Sequence, residues 1–302
     1  MKFICGGVDI SSSLLQNENV VHIFAPAGKE NRAKLLGVNE EQARTITVED
    51  DFGKTQTFDM YVNVLLVKDE DTGKWRLREH TAHDILRFVH QALLPHFRFG
   101  SLDEEVPEQL MAVQYIQGHH KVIEIGGNIG RNSCVIGKLL HNSSNMLVVE
   151  SDPNNAAQLV QNRDACGLNF HVEASAISEV PMIQNHWITQ PLNASQGPLS
   201  GWDTVSTITY KDLIKKYPDF ASVDVLVLDC EGAFHDILRD NPEILTGVSW
   251  ILIENDFLEV TQKQFVDEVI TSTGFSCVYR VGGGSCFYNE NFFEVWFNPT
   301  PK

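Results

Sequence analysis

Val122-Ile123-Glu124-Ile125-Gly126-Gly127-Asn128-Ile129-Gly130 is the stretch on which the fold turns. An apolar strand carrying one acid runs into a glycine-rich turn, and Ser133 to Leu140 then reads as a helix. Glycines let the backbone turn tightly and bring a ligand close to the helix N-terminus. Outward from this unit the pattern repeats. Met146 to Val149 is the next strand, Asn154 to Asp164 a helix, and Asn169 to Val172 a third strand. Val223 to Leu228 and Trp250 to Ile253 are near-continuous apolar runs, as expected of parallel strands covered on both faces. Helices are expected near Asp236–Leu238 and over Lys263–Thr271. Ser276 to Val281 and Phe292 to Phe297 then predict two strands joined across Gly282-Gly283-Gly284. The expectation is an α/β sheet, mostly parallel, that finishes in an antiparallel hairpin.

The turn is not a dinucleotide fingerprint. Gly-x-Gly-x-x-Gly counted from Gly126 meets Asn128 at the third position and Arg131 at the sixth. The second strand ends at Glu150, and an acid there can accept hydrogen bonds from both hydroxyls of an adenosine ribose. A turn acid and a ribose acid, without the third glycine that suits phosphate, fit a ligand with an adenosine at one end and a cationic amino acid at the other. S-adenosylmethionine is such a ligand.

Glu124-x-Gly126-x-Asn128-x-Gly130, the strand ending at Glu150, Ala174-Ser175-Ala176-Ile177-Ser178 and Asp224-Val-Leu-Val-Leu-Asp229-Cys-Glu231-Gly232 together resemble the FkbM-type methyltransferases. The likeness runs from about Glu105 to Phe297. It implies a Rossmann-like class I methyltransferase sheet of seven strands, with S-adenosylmethionine at the strand C-terminal ends. Some relatives methylate sugar hydroxyls. Motif and resemblance together assign the cofactor to Glu124, Gly126, Gly127, Asn128, Gly130, Asn132, Glu150, Ser151, Ser175, Ala176 and Asp229. The chain departs from the pattern after Gly232: Ala233-Phe234-His235 stand where the family often carries an acid.

Methyl transfer from a sulfonium needs in-line placement of the nucleophile, and a sugar hydroxyl needs a base or a metal to activate it. Asp229 and Glu231, at the end of the fourth strand, and His235, near them in sequence and of a residue type that can serve as a base, are the candidate catalytic groups. Glu254-Asn255-Asp256 end the fifth strand, and Asp229 with Glu254 and Asn255 would form an oxygen-rich set suited to Mg²⁺. Tyr279, Tyr288, Trp187 and Trp202 are candidates to stack on an acceptor. Trp187 and Trp202 fall in an insertion before the fourth strand, where substrate loops occur.

Two domains are expected: a smaller β-rich N-terminal domain over 1–100, of open role, and the methyltransferase domain over 101–302. Val20 to Phe24, Arg44 to Val48, Phe58 to Lys68 and Lys74 to Arg78 read as strands, the last two joined by a turn at Asp71-Thr72-Gly73. Thr81 and Asp84 read as the capping box of a helix with Ile85, Leu86, Val89 and Leu93 on its apolar face. His96 to Glu105 reads as a linker, and Pro107 opens a second helix.

Acids outnumber bases 40 to 23, a formal charge of −17. That balance disfavours nucleic acid and anionic membrane as partners and suits a neutral or cationic acceptor. No run reaches the length of a membrane span. Six cysteines without a CxxC pair read as free thiols of a reducing compartment, and a cytoplasmic location is expected. The leading expectation is an O-methyltransferase using S-adenosylmethionine on a carbohydrate hydroxyl. The alternatives are another small-molecule, lipid or nucleic-acid acceptor, or a binding module of the same fold without turnover. Oligomeric state is not legible.

Overall fold

The computed structural model describes residues 2–5, 8–9, 20–23, 45–59, 64–68, 72, 74–78, 81–192, 200–283 and 290–301. The expected turn at Asp71 and Gly73, the sequence at Gly284, and Tyr288 and Cys286 lie outside them. The chain divides into two compact units. The first holds Met1–Val89, Gln117–His119 and Leu140–Asn142, and the second holds His90–Ile116, His120–Leu139 and Ser143–Lys302.

The first unit carries two small antiparallel sheets. One has the order β2-β1-β4-β5, from β1 (Lys2–Cys5), β2 (Val8–Asp9), β4 (Thr45–Glu49) and β5 (Thr55–Asp59). The other has the order β3-β6-β7, from β3 (Val20–Ile23), β6 (Val64–Lys68) and β7 (Trp75–Arg78). The single strand expected over Phe58 to Lys68 is thus two strands in different sheets. Helix α1 (Ala82–Leu93) begins as its sequence dictates. The Thr81 amide donates to Asp84 Oδ2 at 3.1 Å and the Asp84 amide to Thr81 Oγ1 at 3.3 Å, the reciprocal bonds of a capping box.

The second unit is built on seven strands: β8 (Val122–Ile125), β9 (Met146–Val149), β10 (His171–Glu173), β16 (Val225–Leu228), β17 (Trp250–Glu254), β18 (Ser276–Val281) and β19 (Phe293–Phe297). Their order is β10-β9-β8-β16-β17-β19-β18. The first five are parallel, and β19 runs antiparallel to both β17 and β18. The mostly parallel sheet with a terminal antiparallel hairpin is therefore present, and every residue of β8, β9 and β16 is buried.

Side chains alternate across a sheet. Ile123, Ile125, Leu147, Leu226, Ile251 and Ile253 share one core with residues of α5 (Tyr210–Lys216), α6 (Phe234–Asp240) and α7 (Val260–Ser272). Their neighbours in sequence, including Glu124 and Glu254, belong to the other face. Helix α2 (Val106–Tyr115) packs against α3 (Arg131–Leu139) and against β17 and β19. Helix α4 (Pro153–Ala165) starts at Asp152, whose carboxylate accepts from the amides of Asn154 and Asn155. The segment 96–105 is not a simple linker: Leu102 within it is fully buried.

Before α5 the chain makes small strands: β11 (Ala176–Ile177), β12 (Met182–Asn185), β13 (Ile188–Pro191), β14 (Asp203–Val205) and β15 (Thr207–Ile208). β12 pairs with β13 and β14, and β11 pairs with β15. Short strands of mixed exposure carry a weak periodicity signal, which is why this insertion reads only as polar sequence.

Candidate active site

The turn after β8 is made by backbone handedness. Gly126, Asn128 and Gly130 have φ of 93°, 46° and 91°. A Cβ at position 126 would stand 1.5 Å from the carbonyl oxygen of Asp229, so glycine alone lets the ends of β8 and β16 approach. Asn128 is a non-glycine residue of a type that tolerates the left-handed region. The amides of Gly126 and Gly127 donate to the Val149 carbonyl at 2.9 and 3.2 Å. The Asn128 amide donates to Glu150 Oε2 at 2.7 Å, and the Asp152 amide to Glu150 Oε1 at 2.7 Å. Turn and acid are thereby locked together. Burial raises the Glu150 pKa, with these amide bonds working against it.

A cavity of about 290 Å³ opens at the C-terminal ends of β8, β9, β16 and β17. Strand order reverses between β8 and β16, and such a reversal leaves a crevice where open α/β sheets bind ligands. Of the expected cofactor residues, Gly126, Asn128, Glu150, Ser151, Ser175, Ala176 and Asp229 line it. Glu124, Gly127, Gly130 and Asn132 do not. Glu124 faces α3, where the Ser133 hydroxyl and Asn132 Nδ2 (3.0 Å) donate to it, and burial pushes its pKa up to about 8. It braces the turn from behind.

Asp229 and Glu231 line the cavity as expected of catalytic candidates, but His235 does not. Its Nδ1 lies 2.9 Å from Asp236 Oδ1 and its ring meets Phe265 of α7 edge-on at 5.1 Å. The correction follows from its place on the first turn of α6, on the side facing α7. Glu231 has φ of 51°, and the next amide, Gly232, donates to Asp256 Oδ1 at 2.8 Å, pinning the loop.

The expected metal set also changes. Asp229 and Glu254 converge, but Asn255 is wholly buried on the opposite face, its amide donating to the Asn291 carbonyl (2.7 Å) and Glu294 Oε2 (3.0 Å). Consecutive strand residues cannot both reach one side of a sheet. Glu108 of α2 takes the vacant place: one carboxylate oxygen from each of Glu108, Asp229 and Glu254 lies within 4.8 Å of the others.

Sequence reasoning missed Glu105 and Glu108 on the cavity wall. A signal for Glu108 existed, since it stands three and four residues before the buried Met111 and Ala112, on the apolar stripe of α2. Also missed were Met182, Gln184 and Thr189 of the β12–β13 hairpin and Asp236, Arg239 and Asp240 of α6, all on the wall. Trp187, at the hairpin tip, does line the cavity while remaining exposed. Trp202 does not line it, and Tyr279 lies instead beside Tyr115, with ring centroids 5.9 Å apart.

The wall is strongly acidic. Arg239 is its only basic residue among those described, and it is held by Asp236 (2.7 Å) and Asp240 (2.8 Å). Burial, then the charge of Asp229, a side-chain hydrogen bond with Glu108 and the charges of Glu108 and Asp256, push Glu254 up to about 11. Burial, then Asp256, Glu105, Glu108 and Glu231, hold Asp229 well above the usual carboxylate range. Burial also raises Glu231, and with the charge of Glu231 it pushes Asp256 up to about 7. Crowded together out of water, these acids hold their protons more tightly than free carboxyls do.

No protein-family model matches the chain, and no curated protein matches it. Solved structures do. An O-methyltransferase from Bacillus cereus in complex with SAH is 13% identical with a TM-score of 0.40, covering 72% of this chain and 90% of its own. The O-methyltransferase TomG from Streptomyces achromogenes, in complex with SAM, is 12% identical with a TM-score of 0.40, covering 74% and 92%. A ribosomal protein L11 methylase from Lactobacillus delbrueckii subsp. bulgaricus is 11% identical with a TM-score of 0.39, covering 67% and 80%. Likenesses at this level carry no argument about activity, so the fold rests on its own topology. Five parallel strands in the order 3-2-1-4-5, closed by an antiparallel hairpin in the order 7-6, make the second unit a Rossmann-like class I methyltransferase fold.

Proposed function

We propose that the second unit is an S-adenosylmethionine-dependent O-methyltransferase whose acceptor is a carbohydrate hydroxyl. The observation that carries the cofactor reading is the meeting of the Gly126 turn, Glu150 and Asp229 in one cavity at the strand reversal. Glu150 has both oxygens oriented by backbone amides and retains acceptor capacity for the two ribose hydroxyls. Ser175 and Ala176 stand beyond it on the wall, where the adenine would lie. The methionyl end would reach the Gly126 turn, and the acidic wall suits the positive charges of the sulfonium and ammonium.

Asp229 and Glu231 are proposed to orient the acceptor hydroxyl and take its proton. Burial raises the pKa of both, which brings a carboxylate closer to the basicity that proton transfer near neutral pH needs. The sugar acceptor is supported by the resemblance of the motifs, and the exposed Trp187 at the rim offers a face on which a ring can stack. Domains 1–100 and 101–302 and a cytoplasmic location belong to the same proposal.

Titration of S-adenosylhomocysteine into the full chain tests it. One site is expected in wild type, weakened at least about tenfold in Glu150→Ala by loss of the charged ribose acceptor. Labelled methyl transfer to a panel of sugars then tests the acceptor, with phenols, amines and RNA as rivals. No binding of S-adenosylhomocysteine to the wild type would overturn the cofactor reading.

A further inference from the structure

The β12–β13 hairpin turns one of its two sides to the cavity. Gln184 pairs with Thr189 and Met182 with Pro191 across the hairpin, and all four line the cavity, whereas the alternate pair of Ile183 and Gln190 does not. The chain reverses at His186 and Trp187, and His186 is left-handed, with φ of 53°. Gln184 Nε2 donates to the His186 carbonyl at 2.9 Å. A carbonyl can only accept, so this bond fixes which end of the Gln184 amide is the nitrogen. The oxygen end is left over. Gln184 is only 7% exposed, and its Oε1 is buried with no donor among the described residues. A buried amide oxygen without a donor costs more than an ordinary hydrogen bond returns, so it marks the place of a missing partner.

We propose that Gln184 sets acceptor specificity, its Oε1 accepting a hydrogen bond from a ring hydroxyl of the acceptor other than the one methylated, with Thr189 beside it on the same face. The inference rests on the O-methyltransferase reading given above and names the residues that select its acceptor. Three features favour a hydroxylated ring as the guest. An ammonium or guanidinium group would be drawn to the acids of the wall, Glu231 and Asp236 among them, before a neutral amide. Oε1 can only accept, while the Thr189 hydroxyl both donates and accepts, a combination that matches neighbouring hydroxyls on one ring. Met182 and Pro191 add an apolar strip on the same face, and Trp187 at the tip lines the cavity while 63% exposed, which suits the C–H face of a sugar. An acceptor lacking the selected hydroxyl leaves Oε1 unpaired in the complex, which is how a polar site rejects a deoxy analogue.

The test is saturation-transfer NMR of methyl hexosides and their monodeoxy analogues on the full chain, with and without S-adenosylhomocysteine. At least one hexoside is expected to bind, and one of its monodeoxy analogues to bind at least about tenfold more weakly. Gln184→Met keeps the side-chain length and removes the amide. It is expected to weaken the parent hexoside to the level of that analogue, to leave the analogue unchanged, and to change S-adenosylhomocysteine binding little. A merely structural loss would weaken parent and analogue alike. Thr189→Val serves as the second variant in the same comparison, and circular dichroism shows that each compared protein is folded. No hexoside bound by folded wild type, or no difference between parent and analogue that either variant removes, overturns the proposal. Loss of S-adenosylhomocysteine instead of the hexoside in Gln184→Met overturns it in favour of the adenine amine as the donor. Hexoside binding that depends on Gln184 in a chain that takes up no S-adenosylhomocysteine upholds the sugar seat and sinks the methyltransferase reading, so the two failures register separately.

Discussion

Two glutamates on adjacent strands, Glu254 of β17 and Glu294 of β19, are treated oppositely by the fold. Glu294 is wholly buried yet accepts from Lys263 (2.8 Å), Arg280 (2.7 Å), Asn255 (3.0 Å) and Trp296 (3.3 Å). Burial alone would raise its pKa, but these partners, Lys263 foremost, bring it below the ordinary value. Glu254 faces the cavity with Glu108 and Asp229 for company, and its pKa is pushed up to about 11. One register step separates their pairing positions, since Ile253 opposes Glu294 and Glu254 opposes Phe293. That step sends them to opposite faces. A buried acid that serves the fold is surrounded by donors. One left among other acids keeps its proton instead.

The comparison is tested most severely by removing a partner of Glu294. Lys263→Met leaves that carboxylate buried with its strongest donor gone, and urea unfolding should show a loss of about 3–5 kcal/mol. A loss below about 1 kcal/mol would show that Arg280 and Asn255 suffice. Glu254→Gln should be nearly neutral. In chelator at pH 7.5 the Glu254 carboxyl, its pKa raised to about 11, is protonated and neutral, so the amide should change stability by no more than about 1 kcal/mol. A larger destabilisation in chelator would mean that Glu254 has a further partner in the fold.

The last effect is in pH dependence, where Glu124 and Glu294 oppose each other. Glu124 has its folded pKa raised from 4.5 to about 8, so the stability tied to its protonated form is complete below pH 4.5 and is lost as pH rises through 8. Glu294 has a lowered folded pKa, so its contribution is present above 4.5 and is lost as pH falls through the folded value. Between pH 6 and 7 the Glu124 term acts and that of Glu294 does not; Glu124 lowers stability by about 1 kcal/mol, in addition to the same-signed slopes of Glu254 and Asp256. Chemical unfolding at the two pH values measures it, and Glu124→Gln should reduce that slope by about 1 kcal/mol per pH unit while leaving the acid limb unchanged. A slope unchanged in the variant would assign the effect elsewhere.

Legibility from sequence varied with the range of the interaction. The turn 126–130 was readable because its demands are local: three left-handed residues in five positions, two of them glycine, between a strand and a helix. Glu150 was readable because a parallel sheet returns the next strand's end beside the same turn. The cap of α1 was readable for the same local reason, as Thr81 and Asp84 satisfy each other's amides. His235 and Asn255 were misplaced because closeness in sequence to Asp229 and Glu254 says nothing about which side of an element a side chain takes. The β12–β13 hairpin was missed because its strands have four residues each and no sustained alternation.

By itself, then, the sequence determined the sheet: apolar runs of β length, alternating with helical segments, admit few arrangements once connections are short and right-handed. It also determined one side of the cavity, where the Gly126 turn and the end of β9 meet. Only the tertiary structure decided the other side. Glu108 stands more than a hundred residues of chain before Asp229 and Glu254, and no local periodicity relates them. They meet because α2 packs against β17 at the end where the parallel strands stop. Their crowding is tolerable there because burial and mutual repulsion raise the pKa values of Asp229 and Glu254, so that not all of them are charged at once.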